Sequence, residues 1–170
     1  MSASAMTFRA TLMNVKGVRA TIEVRDDQRL ADLHDGIQEA FGWLDDHLYS
    51  FWLDNRFWGD PEMEYTSPVE AEEAVHTAEV SLAELSLQAG ARIAYVFDFG
   101  DDWRVGLELT RVAPADDGEY PRVTDRVGER RRSIRTSATS ERSISSSLWL
   151  LRTQKCGARR CSSRTAASVL

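Results

Sequence analysis

The sequence predicts an α+β fold: a first β-hairpin, one helix, then further antiparallel strands, followed by a disordered C-terminal tail. Three observations carry this. Apolar and polar residues alternate on both sides of two turns, helical spacing takes over between those hairpins, and the composition changes abruptly after Tyr120-Pro121. Period two marks half-buried strands, and a period near 3.6 marks an amphipathic helix.

Residues 1–5 read as a disordered start. From Thr7 to Met13, Phe8, Ala10 and Leu12 alternate with Arg9 and Thr11. After a turn at Asn14-Val15-Lys16-Gly17, Val18, Ala20, Ile22 and Val24 alternate with polar residues and close the first hairpin. A helix is predicted from about Gln28 to Phe41, because Leu30, Leu33, Ile37, Ala40 and Phe41 form one apolar stripe. Asp26 or Asp27 is placed to cap its start, and Gly42 stands where a left-handed C-cap belongs. Gly36 inside this helix costs about 1 kcal/mol against alanine, which points to close packing there. Residues 47–53 predict a third strand, and Phe57-Trp58 a short return strand or turn. Residues 60–77 are acidic without apolar periodicity and predict a long solvated loop. Leu82, Leu85 and Leu87 predict a short helix ending near Gly90.

The organising stretch is Tyr95-Val96-Phe97-Asp98-Phe99-Gly100-Asp101-Asp102-Trp103. Ile93, Tyr95 and Phe97 alternate before it, and Trp103, Val105, Leu107 and Leu109 after it. For Phe97 and Trp103 to share a face, paired residue numbers must sum to an even number. An odd-length loop such as Phe99-Gly100-Asp101 meets this, with Gly100 supplying a positive φ. Trp103 is then expected to be largely buried against Phe97 and the helix stripe. Pro114 ends the second hairpin.

The 170 residues suffice for one domain with an ordinary core. Residues 1–121 hold 9 basic and 24 acidic side chains, a net of −15, whereas 122–170 hold 12 basic and 3 acidic, a net of +9. An acidic body disfavours direct nucleic-acid binding. Cys156 and Cys161 both lie in the tail without nearby histidines, so neither a disulfide framework nor a zinc site is predicted. No apolar run spans a membrane and no signal-peptide core opens the chain, which predicts a cytoplasmic protein.

The candidate functional cluster is His34, His47, Asp98, Asp101 and Asp102, with Trp43, Phe97, Gly100 and Trp103 as its structural frame. Carboxylates beside histidine suit a base or a metal ligand. Aspartates also form tight turns and cap helices, and the spacing of a calcium loop is missing, so the turn reading is preferred and no metal or cofactor is assigned. His34 reads as a packed or surface histidine, and His47, after Asp45-Asp46, as a cap between helix and strand. Asp98-Phe99-Gly100 matches the metal-binding tripeptide of protein kinases, but no glycine-rich loop, strand lysine or catalytic loop accompanies it.

Leu30-Ala31-Asp32-Leu33-His34, Phe41-Gly42-Trp43, His47-Leu48-Tyr49-Ser50-Phe51 and Tyr95 to Trp103, in this order, resemble the plasmid pRiA4b ORF-3-like family, whose actinobacterial members carry the name IS1096 element passenger TnpR family. The resemblance covers roughly residues 6–123. It implies an α+β domain with a β-grasp-like core and a mobile-element or plasmid setting, and it implies little about activity, since the family has no established enzyme function. The chain departs from the family at Val105, where members usually carry histidine, and in lacking a Pro-rich segment that follows the domain.

Function therefore divides three ways. A non-catalytic module binding an unknown protein partner is preferred, with Trp52 and Trp58 as surface anchors. A metal-dependent hydrolase or nuclease is the alternative, and it needs the His/Asp cluster to converge on one ion. A serine recombinase has no suitable nucleophile, since Ser50, Ser67, Ser81 and Ser86 lack surrounding arginines. The basic, Arg/Ser-rich tail of 124–170 is read as a frameshifted, disordered translation product. Glu129 to Ser137 can be encoded so that the neighbouring frame gives Ala-Pro-Pro-Gln-Tyr-Pro-Asp-Glu, which resembles the Pro-rich segment expected at this place.

Overall fold

A computed structural model describes residues 3–44, 47–70, 72 and 74–128. The chain divides into one compact unit over Met1–Ser133 and another stretch over Ile134–Leu170, which lies outside the described residues. The frameshift and disorder expected of 124–170 fall, from Glu129 onward, on that undescribed part.

The element order is β1 (Ser4–Leu12), β2 (Arg19–Arg25), α1 (Leu30–Phe41), β3 (Tyr49–Trp52), β4 (Glu64–Thr66), β5 (His76–Thr77), β6 (Arg92–Phe97), β7 (Trp103–Pro114) and β8 (Arg122–Val127). The strands form one sheet in the order β5-β4-β3-β6-β7-β1-β2-β8. Every pairing is antiparallel except β4 with β5. Among the described residues, one α-helix on a largely antiparallel sheet makes an α+β architecture. Against the β-grasp-like expectation stands a sheet of eight strands in which β1 and β7 run antiparallel.

Strand alternation sends alternate side chains to opposite faces. Phe8, Ile22, Phe51, Tyr95, Phe97, Leu107 and Leu109 point to the face covered by α1, where Leu30, Leu33 and Ile37 are fully buried. Burying such side chains contributes about 1.5–3 kcal/mol each, which fixes the helix on the sheet. The opposite face carries a smaller cluster of Trp52, Ala94 and Val96, flanked by Phe57 and Phe99.

Helix α1 starts two residues later than expected. Arg29 is its N-cap, and the Asp32 carboxylate accepts from the Arg29 backbone N–H at 2.6 Å, so Asp32 satisfies the donor that Asp26 or Asp27 was expected to serve. Gly42 closes the helix in the left-handed region, φ 67°, and Trp43 N–H donates to Gln38 O. At Gly36 α1 lies close to the sheet: a Cβ there would lie 2.7 Å from Ile22 Cγ2 and 3.3 Å from Pro121 Cβ.

Several expectations are corrected. The start is not disordered to residue 5: β1 begins at Ser4, whose N–H donates to Asp26 Oδ1 at 2.9 Å. The segment 60–77 is not simply a solvated loop but carries β4 and β5, strands of three and two residues, too short to leave a periodic signal. Tyr65 stacking on His76, ring centroids 4.8 Å apart, joins them. No helix forms at Leu82 to Leu87. Leu82 N–H and Ala83 N–H donate to Gln28 O and Asp26 O, outside any helical ladder, and Ser86 sits at φ 50°. The sheet also extends past residue 123, because Arg122–Val127 pairs with β2. An ion pair of Arg122 with Glu23 at 2.7 Å joins the two strands.

Candidate functional site

The β6–β7 hairpin carries three of the five candidate residues, Asp98, Asp101 and Asp102. Phe97 pairs with Trp103, so the even-sum register holds, and Asp98–Asp102 make a five-residue loop. Gly100 is not in the left-handed region. Asp98 (φ 53°) and Asp102 (φ 54°) take that conformation instead. Aspartate tolerates it because its short carboxylate bonds nearby backbone. Here Asp98 Oδ1 accepts from Gly100 N–H at 3.1 Å and Asp101 N–H at 3.2 Å, and Asp98 O accepts from Asp102 N–H at 2.7 Å. The turn reading of the aspartates is therefore the one the geometry carries.

The five candidates occupy four different places, with His47 and Asp98 alone sharing one. His47 Nε2 and Asp98 Oδ2 stand 3.5 Å apart, and the His47 ring meets Phe97 edge-on at 5.9 Å. His34 is in the core (2 % exposed), stacked on Tyr49 at 3.7 Å, with Nδ1 2.8 Å from the Tyr95 hydroxyl. Asp101 is exposed at the loop apex. Asp102 faces the other side of the hairpin. Its Oδ1 accepts from Trp58 Nε1 at 3.1 Å, and its Oδ2 lies 2.7 Å from an Arg104 terminal nitrogen and accepts from Arg104 Nε at 2.9 Å. The hydrogen bond to Asp102 raises the Arg104 pKa above its already high ordinary value. Among the described residues, no three His, Cys, Asp or Glu side chains are placed to hold one metal ion. His47 and Asp98 are the two candidate donors that meet among the described residues.

The structural frame behaves as a packed unit. Trp43 stacks on Phe97 at 5.3 Å and reaches Phe41 at 5.0 Å and Trp103 at 5.7 Å. Trp103 is half-buried, less than expected, because it is the last pair of the ladder and lies at the edge of the core.

Sequence reasoning misplaced one aromatic and missed two others. Trp52 is not a surface anchor: it is 1 % exposed and packs with Ala94 and Val96. Trp58 is 42 % exposed. It also holds φ 57°, a strained conformation for a bulky side chain. Its ring contacts Trp52 at 5.5 Å and Phe99 edge-on at 5.1 Å. Phe57 lies under the Arg104 guanidinium at 5.6 Å. The hairpin tip is braced from below, since Asn14 Nδ2 donates to Asp102 O at 3.0 Å and Asn14 Oδ1 accepts from Arg104 N–H at 2.7 Å. The only signal for Phe57 and Phe99 in the sequence is aromatic character within turns, which periodicity does not interpret.

Fold and site together define an α+β domain whose central hairpin is closed by aspartates and backed by aromatic side chains. The chain belongs to the plasmid pRiA4b ORF-3-like family, whose sequence model matches residues 4–133. It is similar to the uncharacterized protein y4hQ of Sinorhizobium fredii, 32% identical over 131 residues, which cover 75% of this chain and 64% of that protein. The chain thus spans under two thirds of that relative's length. The fold is shared with a protein of unknown function, MM3350, from Methanosarcina mazei Go1, with a TM-score of 0.65, 23% identity, and coverage of 79% of this chain and 75% of the other. Among the described residues, no helix is long and apolar enough to cross a membrane.

Proposed function

We propose that this domain is a non-catalytic accessory module that docks a protein partner at the tip of the β6–β7 hairpin. The observation that carries the reading is Trp58, a half-exposed tryptophan held in the left-handed region by Asp102 and by contacts with Trp52 and Phe99. Backbone strain of about 1–3 kcal/mol persists where surrounding structure enforces it, and it concentrates at functional positions. A tryptophan fixed in one orientation loses little side-chain entropy on binding, which suits an anchor. The setting proposed is cytoplasmic and linked to plasmids or mobile elements; of these, the family's description names the plasmid alone. A hydrolase reading lacks a converging ligand set among the described residues.

The test is affinity capture from the native host with wild type and Trp58→Ser at matched folded amounts. A protein retained by wild type and lost from the variant supports the reading. Retention that is indifferent to Trp58→Ser sinks it.

A further inference from the structure

Building on the docking reading, we infer that the partner is a cationic segment: an aliphatic or aromatic side chain flanked by Lys or Arg. Two observations converge on that chemistry. First, the apolar centre is small and already built. Trp58 stands exposed with Phe99 edge-on to it at 5.1 Å, and Phe57 and Phe99 pack on the cluster below, so the exposed apolar surface is about one tryptophan ring wide and suits a single apolar side chain of the partner. Second, its surroundings are anionic. The loop that presents Trp58 also carries Asp54 and Asp60, and the neighbouring hairpin loop exposes Asp101 at its apex.

The nearby cations do not balance these carboxylates. Arg104 is closed onto Asp102 at 2.7 Å and lies over Phe57, so its charge is spent within the tip. Arg56 is the one remaining arginine of the Trp58 loop. Asp54 Oδ1 and Asp60 Oδ1 accept backbone N–H bonds from Arg56 and Glu62, which fix the two carboxylates on the loop and leave their charge uncancelled. At longer range, the chain's formal net charge of −6 also favours a cationic segment over an acidic one. The apolar contact then supplies the slow dissociation and the charges supply encounter and selectivity.

The experiment is fluorescence anisotropy with three labelled probe peptides added to the full chain. The first is Lys-Lys-Leu-Phe-Leu-Lys-Lys, the second has every Lys replaced by Glu, and the third has the Leu and Phe residues replaced by Ser. The expected result is binding of the first peptide alone, weakened about tenfold or more by Trp58→Ser and severalfold between about 50 and about 500 mM salt. Asp101→Lys, an exposed change that leaves the apolar contacts in place, weakens the same peptide and keeps the claim testable should Trp58→Ser misfold. If the Glu peptide binds as tightly with Trp58 dependence, the cationic class is overturned while the docking site stands. If binding of the Lys peptide is unchanged in Trp58→Ser and in Asp101→Lys, both the class and the anchor are overturned.

Discussion

Gly36→Ala sets two effects of known size against each other. In a helix interior the added methyl stabilises by about 0.8–1.0 kcal/mol. Here that methyl would sit 2.7 Å from Ile22 Cγ2. Carbon atoms pack at roughly 3.5–4.0 Å, so Ile22 must retreat by about 1 Å. Ile22 is fully buried, and its Cγ2 is bonded directly to Cβ of a β-branched side chain with a stiff χ1, so retreat moves strand β2 itself. Pro121 Cβ, at 3.3 Å, narrows the other direction. Overpacking of this kind costs about 1–3 kcal/mol. The clash outweighs the propensity gain, and a net loss of up to about 2 kcal/mol is expected. Urea unfolding reads it as a lower midpoint with an unchanged slope. In an Ile22→Ala background the blocking methyl is gone, and Gly36→Ala should become neutral or stabilising by up to about 1 kcal/mol. A stabilised single variant, or the same effect in both backgrounds, would refute the close approach of α1 to β2.

Three further outcomes follow from the site and the sheet. Phe97→Ala, at a fully buried ring stacked on Trp43, should lose about 3–5 kcal/mol in denaturant unfolding, and a loss below about 1 kcal/mol would contradict its central place. Asp102→Ala should cost about 1–2 kcal/mol through its left-handed backbone, whereas Gly100→Ala should change stability by under about 0.5 kcal/mol. Reversed magnitudes would mean that Gly100, and not the aspartates, carries the turn. Asp116 is lowered to about 2 by hydrogen bonds from Arg122, Gly118 N–H and the Tyr120 hydroxyl. A carboxylate whose folded pKa is depressed stabilises the fold above its ordinary value of 3.8, and that contribution is lost as pH falls through about 2. Asp116→Asn should therefore flatten the acid limb of a stability–pH curve between about 4 and about 2, and an unchanged limb would contradict the pairing.

How far the sequence was legible follows from which forces leave a periodic trace. The first hairpin, α1 with its Gly42 cap, and the parity that pairs Phe97 with Trp103 all rest on burial of one face, which writes its period into the chain. β4 and β5 are too short to show a period, and β8 is built from Arg122, Asp125 and Arg126 as much as from Val123 and Val127, so its charges hid a strand held by cross-strand pairing. The Leu82 segment carried apolar spacing, but its leucines serve a turn tied by backbone bonds to the connection between β2 and α1. At the site, the sequence placed the aspartates in the turn. It did not separate buried Trp52 from exposed Trp58, because which face a tryptophan takes depends on pairing with Ala94 and on the loop that follows.

Docking at Trp58 is tested most directly by site-specific photo-crosslinking in the native host. A photoreactive phenylalanine is placed at position 58, and in a parallel strain at Arg111, an exposed residue of β7 far along the strand from the hairpin tip. A discrete protein adduct is expected from position 58 and none from position 111. No adduct at position 58, or the same adducts from both positions, would contradict it.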